Sequence, residues 1–207
     1  MTKSSTAPCQ TALNFPTMAM SDMPIVVSAK SCRLRFNGCE PDFIRDVCHG
    51  RCCESSSHPS GVRITILDEE SPTIAERGGM VAGGFLQPRE GQRRCPFKTS
   101  AHLCGLHQTD DKPFGCISSP FTLNKNDKLI VRNRYKMLKC YNAGPQIPAY
   151  IAFRESLKLI FGNQEPELHA HLEAGGGDKT VMTSARSYLA LSGAQEKHHK
   201  RNSEDMT

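Results

Sequence analysis

Cys48-His49-Gly50-Arg51-Cys52-Cys53 places three thiols within six residues, around one glycine. Read outward from this stretch, the chain is organised by cysteine. Ten of its 207 residues are Cys, and nine of those ten lie between Cys32 and Cys140. What ten cysteines mean depends on the compartment. The first residues, Met1-Thr-Lys-Ser-Ser-Thr-Ala-Pro-Cys-Gln10, contain no apolar stretch of signal-peptide type, so a secretory signal is not expected. No apolar run approaches the roughly 18 residues that would span a bilayer. The expected location is cytoplasmic, where structural disulfides are rare and grouped cysteines are more often metal ligands or redox groups.

The neighbouring thiols extend the pattern. Cys32, Cys39, Cys48, Cys52, Cys53, Cys95, Cys104, Cys116 and Cys140 follow one another through Gly- and Pro-rich sequence. Pro96 follows Cys95 directly, Cys104-Gly-Leu-His107 has Cys, Gly and His together, and Lys112-Pro-Phe-Gly-Cys116 leads into Cys116-Ile-Ser-Ser-Pro120. Thiolate sulfur is a ligand for Zn²⁺ and for iron–sulfur clusters. A segment with little apolar sequence can also take folding energy from bound metal. Cys39, Cys48, Cys52, Cys53, Cys95, Cys104, Cys116 and Cys140 are therefore the candidate metal ligands. Cys9, in the N-terminal lead, and Cys32 are not counted among them. Neighbouring side chains diverge, so Cys52 and Cys53 do not easily share one ion. They could serve a multi-iron cluster or two sites, or leave one thiol free. Only Cys48-x3-Cys52 matches the close pairing usual at zinc, and the excess of scattered thiols suits an iron–sulfur cluster, so both stay open. A radical-SAM arrangement is excluded because Ser55 stands where its third Cys would be.

The order Cys48-x3-Cys52-Cys53, Cys95-Pro-Phe97, Cys104-x2-His107, Lys112-Pro-x2-Cys116 and Pro120-Phe121 resembles the YkgJ-type cysteine-cluster proteins, the zinc- or iron-chelating CxxCxxCC domains. The likeness covers about residues 32–140. It departs from the short motif in having three residues between Cys48 and Cys52 and none before Cys53. Cys39, nine positions upstream of Cys48, would fill the role of the family's first Cys. The resemblance implies metal binding and little about a reaction.

The remainder of the chain reads as α+β: a small, loop-rich, cysteine- and metal-organised core with short strands and C-terminal helices. Residues 1–23 form a flexible lead, 24–145 a cysteine-cluster metal-binding domain, 146–193 a helical C-terminal extension packing on it, and 194–207 a disordered tail. Strand-type sequence runs over 25–36, 61–67, 119–123 and 128–138, with a turn at Asn124-Lys-Asn-Asp127. Residues 37–61 and 83–120 read as loops. Helices are expected after Ser71-Pro72 as far as Gly78-Gly79, over 148–161 closed by Gly162, over 165–173 and over 180–191.

Three functional classes are consistent with these features. The first is a metal-binding protein whose zinc or iron–sulfur centre is structural, chelating or electron-transferring, with a protein redox partner in the last case. The second is a metal-dependent redox enzyme, although no Gly-x-Ser-x-Gly elbow, His-Glu-x-x-His helix or complete P-loop is present and no catalytic residue is assigned. The third is a zinc-stabilised nucleic-acid-binding module. It would use residues 125–139, where Lys125, Lys128, Arg132, Arg134, Lys136 and Lys139 face a single acid, Asp127. On a strand, Arg132, Arg134 and Lys136 would share one face. A solvated sheet face is the plainer reading of these cations. His49 and His107 could be ligands or loop histidines bonded to backbone.

Overall fold

The computed structural model describes residues 22–54, 64–107 and 109–192. The lead at 1–21, residues 55–63 and the tail at 193–207 lie outside the described residues, and with them Gly61–Arg63 of the expected strand. The architecture is α+β, with small mixed sheets and many loops.

The largest sheet starts from β1, Met23–Val27, whose alternate residues Ile25 and Val27 are buried. Ser28 ends the strand: its hydroxyl accepts from the Ser31 amide and starts α1, Ala29–Cys32. This cap is why strand-type sequence over 25–36 gives a strand, one helical turn and then the short β2, Arg35–Phe36. The expected loop at 37–61 holds α2, Pro41–Phe43, followed by a π-helical turn at Ile44–Cys48 and a 3₁₀ turn at Arg51–Cys53.

Residues 64–67 are not a half-buried strand. All four are buried, because they run between a hairpin and a helix. The hairpin is β3, Val81–Ala82, and β4, Phe85–Leu86; it follows α3, Ser71–Glu76, which Pro72 starts and Gly78 ends. The Ile66 amide donates to Gly84 O at 2.9 Å and the Leu86 amide to Ile64 O at 3.0 Å. On the other side lies α4, Phe114–Ile117. Glu70 ties these pieces together, its carboxylate accepting from the Leu67 amide (3.0 Å) and the Phe114 amide (2.8 Å).

β5, Phe121–Leu123, and β6, Lys128–Val131, pair antiparallel across the expected turn, where the Asn124 side chain accepts from the amides of Asn126 and Lys128. The second strand stops at Val131. Asn133–Met137 is a 3₁₀ turn, leading into α5, Lys139–Asn142. After β7, Ile147–Pro148, which pairs with β2, the expected helix over 148–161 is split at Phe153 into α6, Ala149–Ala152, and α7, Arg154–Phe161, and Gly162 closes it at φ 55°. α8, Glu165–Glu173, forms as expected. Residues 180–191 do not form one helix. Lys179–Thr183 is β8, antiparallel to β1 along its whole length, and Ser184 then caps α9, Ala185–Ser192, by accepting from the Ser187 amide. β-branched Thr180, Val181 and Thr183 fit the strand, and Thr183 Oγ1 donates to Ile160 O at 2.6 Å.

The sheet order is β5-β6-β1-β8, with β6 parallel to β1. Its buried face (Ile25, Val27, Phe121, Leu129, Val131 and Val181) packs with Leu157, Ile160, Leu168, Leu172 and Leu191 in one apolar cluster. Residues after 146 thus share the sheet and core with residues 24–145, and the extension expected to be helical contributes a strand as well. A second, smaller cluster holds Ile64, Ile66, Ile74, Leu86 and Leu106. α4 sits between the two. The Ser156 hydroxyl on α7 lies 2.6 Å from Ile117 O, fixing the end of α4 to the large core. At its middle, a Cβ on Gly115 would come within 2.4 Å of Thr65 O. Gly115→Ala is therefore expected to destabilise the fold by about 1–3 kcal/mol through overpacking, read from urea unfolding.

Candidate thiol cluster

The turn that carries three cysteines is built by backbone conformation. His49 and Gly50 both adopt the left-handed region (φ 53° and 56°), reversing the chain between the π-helical turn and the 3₁₀ turn. Gly50 is required here: a Cβ would come within 2.5 Å of His102 O. The reversal brings Cys48 back toward Cys52 and Cys53. The Cys95 amide donates to Cys53 O at 2.8 Å, and Glu54 bridges to Arg94, so the 95–107 loop is seated beside this turn. Within that loop Lys98 bridges to Cys104. α4 brings in Cys116. On the opposite side the Asn37 amide donates to Cys140 O at 2.6 Å, joining the Cys39 loop to α5.

The eight candidate cysteines are linked pairwise as electrostatic neighbours, several of them through Cys52. Burial pushes the Cys39 thiol up to about 12, with Cys52, Cys140 and Cys48 adding to the shift, although the residue as a whole is exposed. Cys140 is pushed up to about 12 by burial, then by Cys48 and Cys52. Cys95 is raised by burial and by Cys104 and Cys52, and Cys116 is raised by burial and by Cys95, Cys104 and Cys52. Cys52 and Cys53 lie with sulfurs 3.9 Å apart. The Cys53 thiol donates to Cys52, which holds Cys52 below the usual thiol range and Cys53 far above it. Cys32 stands elsewhere. It is buried in the large core and raised to about 12 by burial, with Arg33 and Asp178 as its charged neighbours. All nine described cysteines are free thiols. Among the described residues, no three His, Cys, Asp or Glu side chains are gathered closely enough to hold a metal ion as they stand.

Cations surround the thiols. Lys98, its side chain 2% exposed, pairs with Glu54 at 2.5 Å and acts on Cys52, and Lys112 acts on Cys39 and Cys116. Arg134 favours the ionised form of Cys52 and lies with Cζ 5.2 Å from the Tyr135 ring centroid. Its Nε and Nη2 are buried without a hydrogen-bond partner among the described residues. Tyr135 is raised by burial and by Cys52. The single face of Arg132, Arg134 and Lys136 expected from a strand does not exist. The 3₁₀ turn sends Arg134 and Tyr135 toward Cys52, while Lys136 and Met137 are exposed. Strand alternation hid this, and the break after Val131 carried no Gly or Pro to mark it. Lys98 and Lys112 had a signal, since they follow Cys95-Pro-Phe97 and open Lys112-Pro-Phe-Gly-Cys116. His49 donates from Nδ1 to Arg45 O at 2.9 Å and meets the His102 ring edge-on at 4.8 Å, as a loop histidine does. His107 is exposed beside Lys112.

No helix among the described residues is long and apolar enough to cross a membrane. Comparison with known proteins finds no matching family model, no similar curated protein and no similar solved structure.

The two unpartnered donors of Arg134 bear on stability. Each buried, unsatisfied donor costs about 1–3 kcal/mol. Arg134→Met, which keeps most of the volume, is expected to stabilise chelator-treated protein in urea unfolding. A loss of stability would show instead that these N–H groups have an acceptor.

Proposed function

We propose that this chain is a thiolate metal-binding protein of the cysteine-cluster type its motifs resemble, in which Cys39, Cys48, Cys52, Cys53, Cys95, Cys104, Cys116 and Cys140 hold zinc or an iron–sulfur centre. The observation that carries this reading is selective gathering. Eight cysteines from separate loops and turns are linked pairwise as electrostatic neighbours, five of them to Cys52, while the ninth described cysteine, Cys32, is a core residue like any small hydrophobe. Packing alone does not explain why the thiols of loops spread over a hundred residues should share one seam between two apolar clusters.

The donor set suits a soft or borderline cation. Thiols raised by burial and by one another shed their protons readily only when a cation replaces them. Arg134, Lys98 and Lys112 offset the negative charge that a multi-thiolate centre keeps, and the unpartnered N–H groups of Arg134 suit sulfur acceptors. The side chains have to close up to reach ligand distance, since they are not gathered tightly enough as they stand. Binding would thus tighten the loops as it forms the site. Free, grouped thiols belong in a reducing compartment, which supports a cytoplasmic location. The role is structural, chelating or electron-transferring, the last requiring a protein redox partner.

Metal and acid-labile sulfide analysis of protein purified without oxygen tests the reading. Zinc, or iron with sulfide and a broad visible charge-transfer band, is the expected outcome. Cys52→Ser is expected to lower the bound metal, and Cys32→Ser to leave it unchanged. Absence of both metals, with failure to take up either on reconstitution, would overturn the proposal.

A further inference from the structure

We infer that Cys52 and Cys53 form a vicinal-dithiol site that binds an organic arsenic(III) compound through both sulfurs. The inference goes beyond the metal reading and does not rest on it. The two sulfurs lie 3.9 Å apart, one thiol within hydrogen-bonding reach of the other. They are the one pair of thiols in such contact among the described residues. Two thiolates held about 2.3 Å from one tetrahedral centre stand about 3.8 Å apart, so this pair is already spaced as ligands of a single atom. The divergence expected of neighbouring side chains is absent from the 3₁₀ turn these two occupy.

The backbone of that turn is held from both ends. The Cys53 amide donates to Gly50 O at 2.9 Å and the Glu54 amide to Arg51 O at 3.1 Å. Cys53 O accepts from the Cys95 amide at 2.8 Å, and the Glu54 carboxylate pairs with Lys98 at 2.5 Å. Rotation about the two Cα–Cβ bonds is what remains to the sulfurs, so the pair is preorganised. Both residues are half-buried, which leaves them within reach of a small molecule.

The class of ligand follows from the number of donors. No third His, Cys, Asp or Glu among the described residues is gathered closely enough to join them around a metal ion. A zinc ion would need two more ligands. An arsenic(III) atom that carries one carbon substituent needs only two thiols. Its oxide, RAs=O, takes one proton from each thiol; two S–As bonds form, the arsenic–oxygen bond breaks and water leaves. Arsenic keeps its oxidation state and no oxidant is consumed. The adduct is neutral, so it suits a half-buried position where an unpaired charge would be costly. Cys52 packs against the large apolar cluster, which offers apolar surface to the substituent R.

Phenylarsine oxide is the probe, titrated into full-length protein stripped of metal and freshly reduced, with the reductant removed. Intact mass is expected to show one adduct per chain at one equivalent. Tryptic mapping is expected to place it on Cys52–Arg63, a peptide with no other cysteine. Dimercaptopropanol should reverse the adduct and a monothiol at equal thiol concentration should not, because both sulfurs must be displaced together. Cys52→Ser and Cys53→Ser are each expected to weaken binding by about tenfold or more, since the second attachment is lost, and Cys32→Ser to leave it unchanged, with circular dichroism reporting the fold. No adduct, a first adduct on other cysteines, full binding in a folded Cys52→Ser variant, or removal by the monothiol would overturn the inference. Should the serine variants fail to fold, the peptide map and the reversal in the unaltered chain decide. Zinc and iron uptake are read separately, so either reading can fail alone.

Discussion

Neighbouring thiols that are buried or half-buried cannot all ionise, because each thiolate raises the cost of the next. The rest of the molecule is arranged around this constraint. Cys52 alone is held below the ordinary range, by the Cys53 thiol that donates to it. Its neighbours Cys39, Cys53, Cys95, Cys116 and Cys140 are all raised, in part by Cys52 itself. A set of groups so balanced is stable as neutral thiols, or as thiolates around a cation, and unstable between the two. Lys98, Lys112 and Arg134 bias that balance toward the thiolate form.

The seam also accounts for the architecture. A four-stranded sheet with α7, α8 and α9 makes one core, which Leu67 also joins, and Ile64, Ile66, Ile74, Leu86 and Leu106 make another. They are linked by α4, pinned by Ser156 on one side and seated on Thr65 at Gly115 on the other, by the Glu70 carboxylate and by Arg186 of α9, which pairs with Glu69 and Glu70. The thiols occupy the remaining boundary.

Residue types nominated the candidate thiols: eight cysteines in Gly/Pro-rich sequence between positions 39 and 140, with Cys32 and Cys9 not counted among them and Cys9 outside the described residues. The α+β class, the 121–131 hairpin, the helix beginning at Pro72 and the helix at 165–173 followed from periodicity, Asx-turn chemistry and Pro placement. Local capping residues decided where the reading went astray. Ser28 and Ser184 each begin a helix inside or beside strand-type sequence, and both turned an expected uniform element into two.

What the sequence determined by itself is the inventory: which side chains can bind a soft cation, and that short elements rather than a large core must hold them. Tertiary structure alone decided which loops meet. Cys140 and Cys39 are a hundred residues apart and meet through one backbone hydrogen bond, and no spacing rule predicts such a contact. The role of Arg134 was equally hidden, because a 3₁₀ turn in place of a strand rotates it from a solvated row of cations to the side of Cys52. Spacing along a chain reports only local geometry, whereas the direction in which a side chain finally points is set by which surfaces pack.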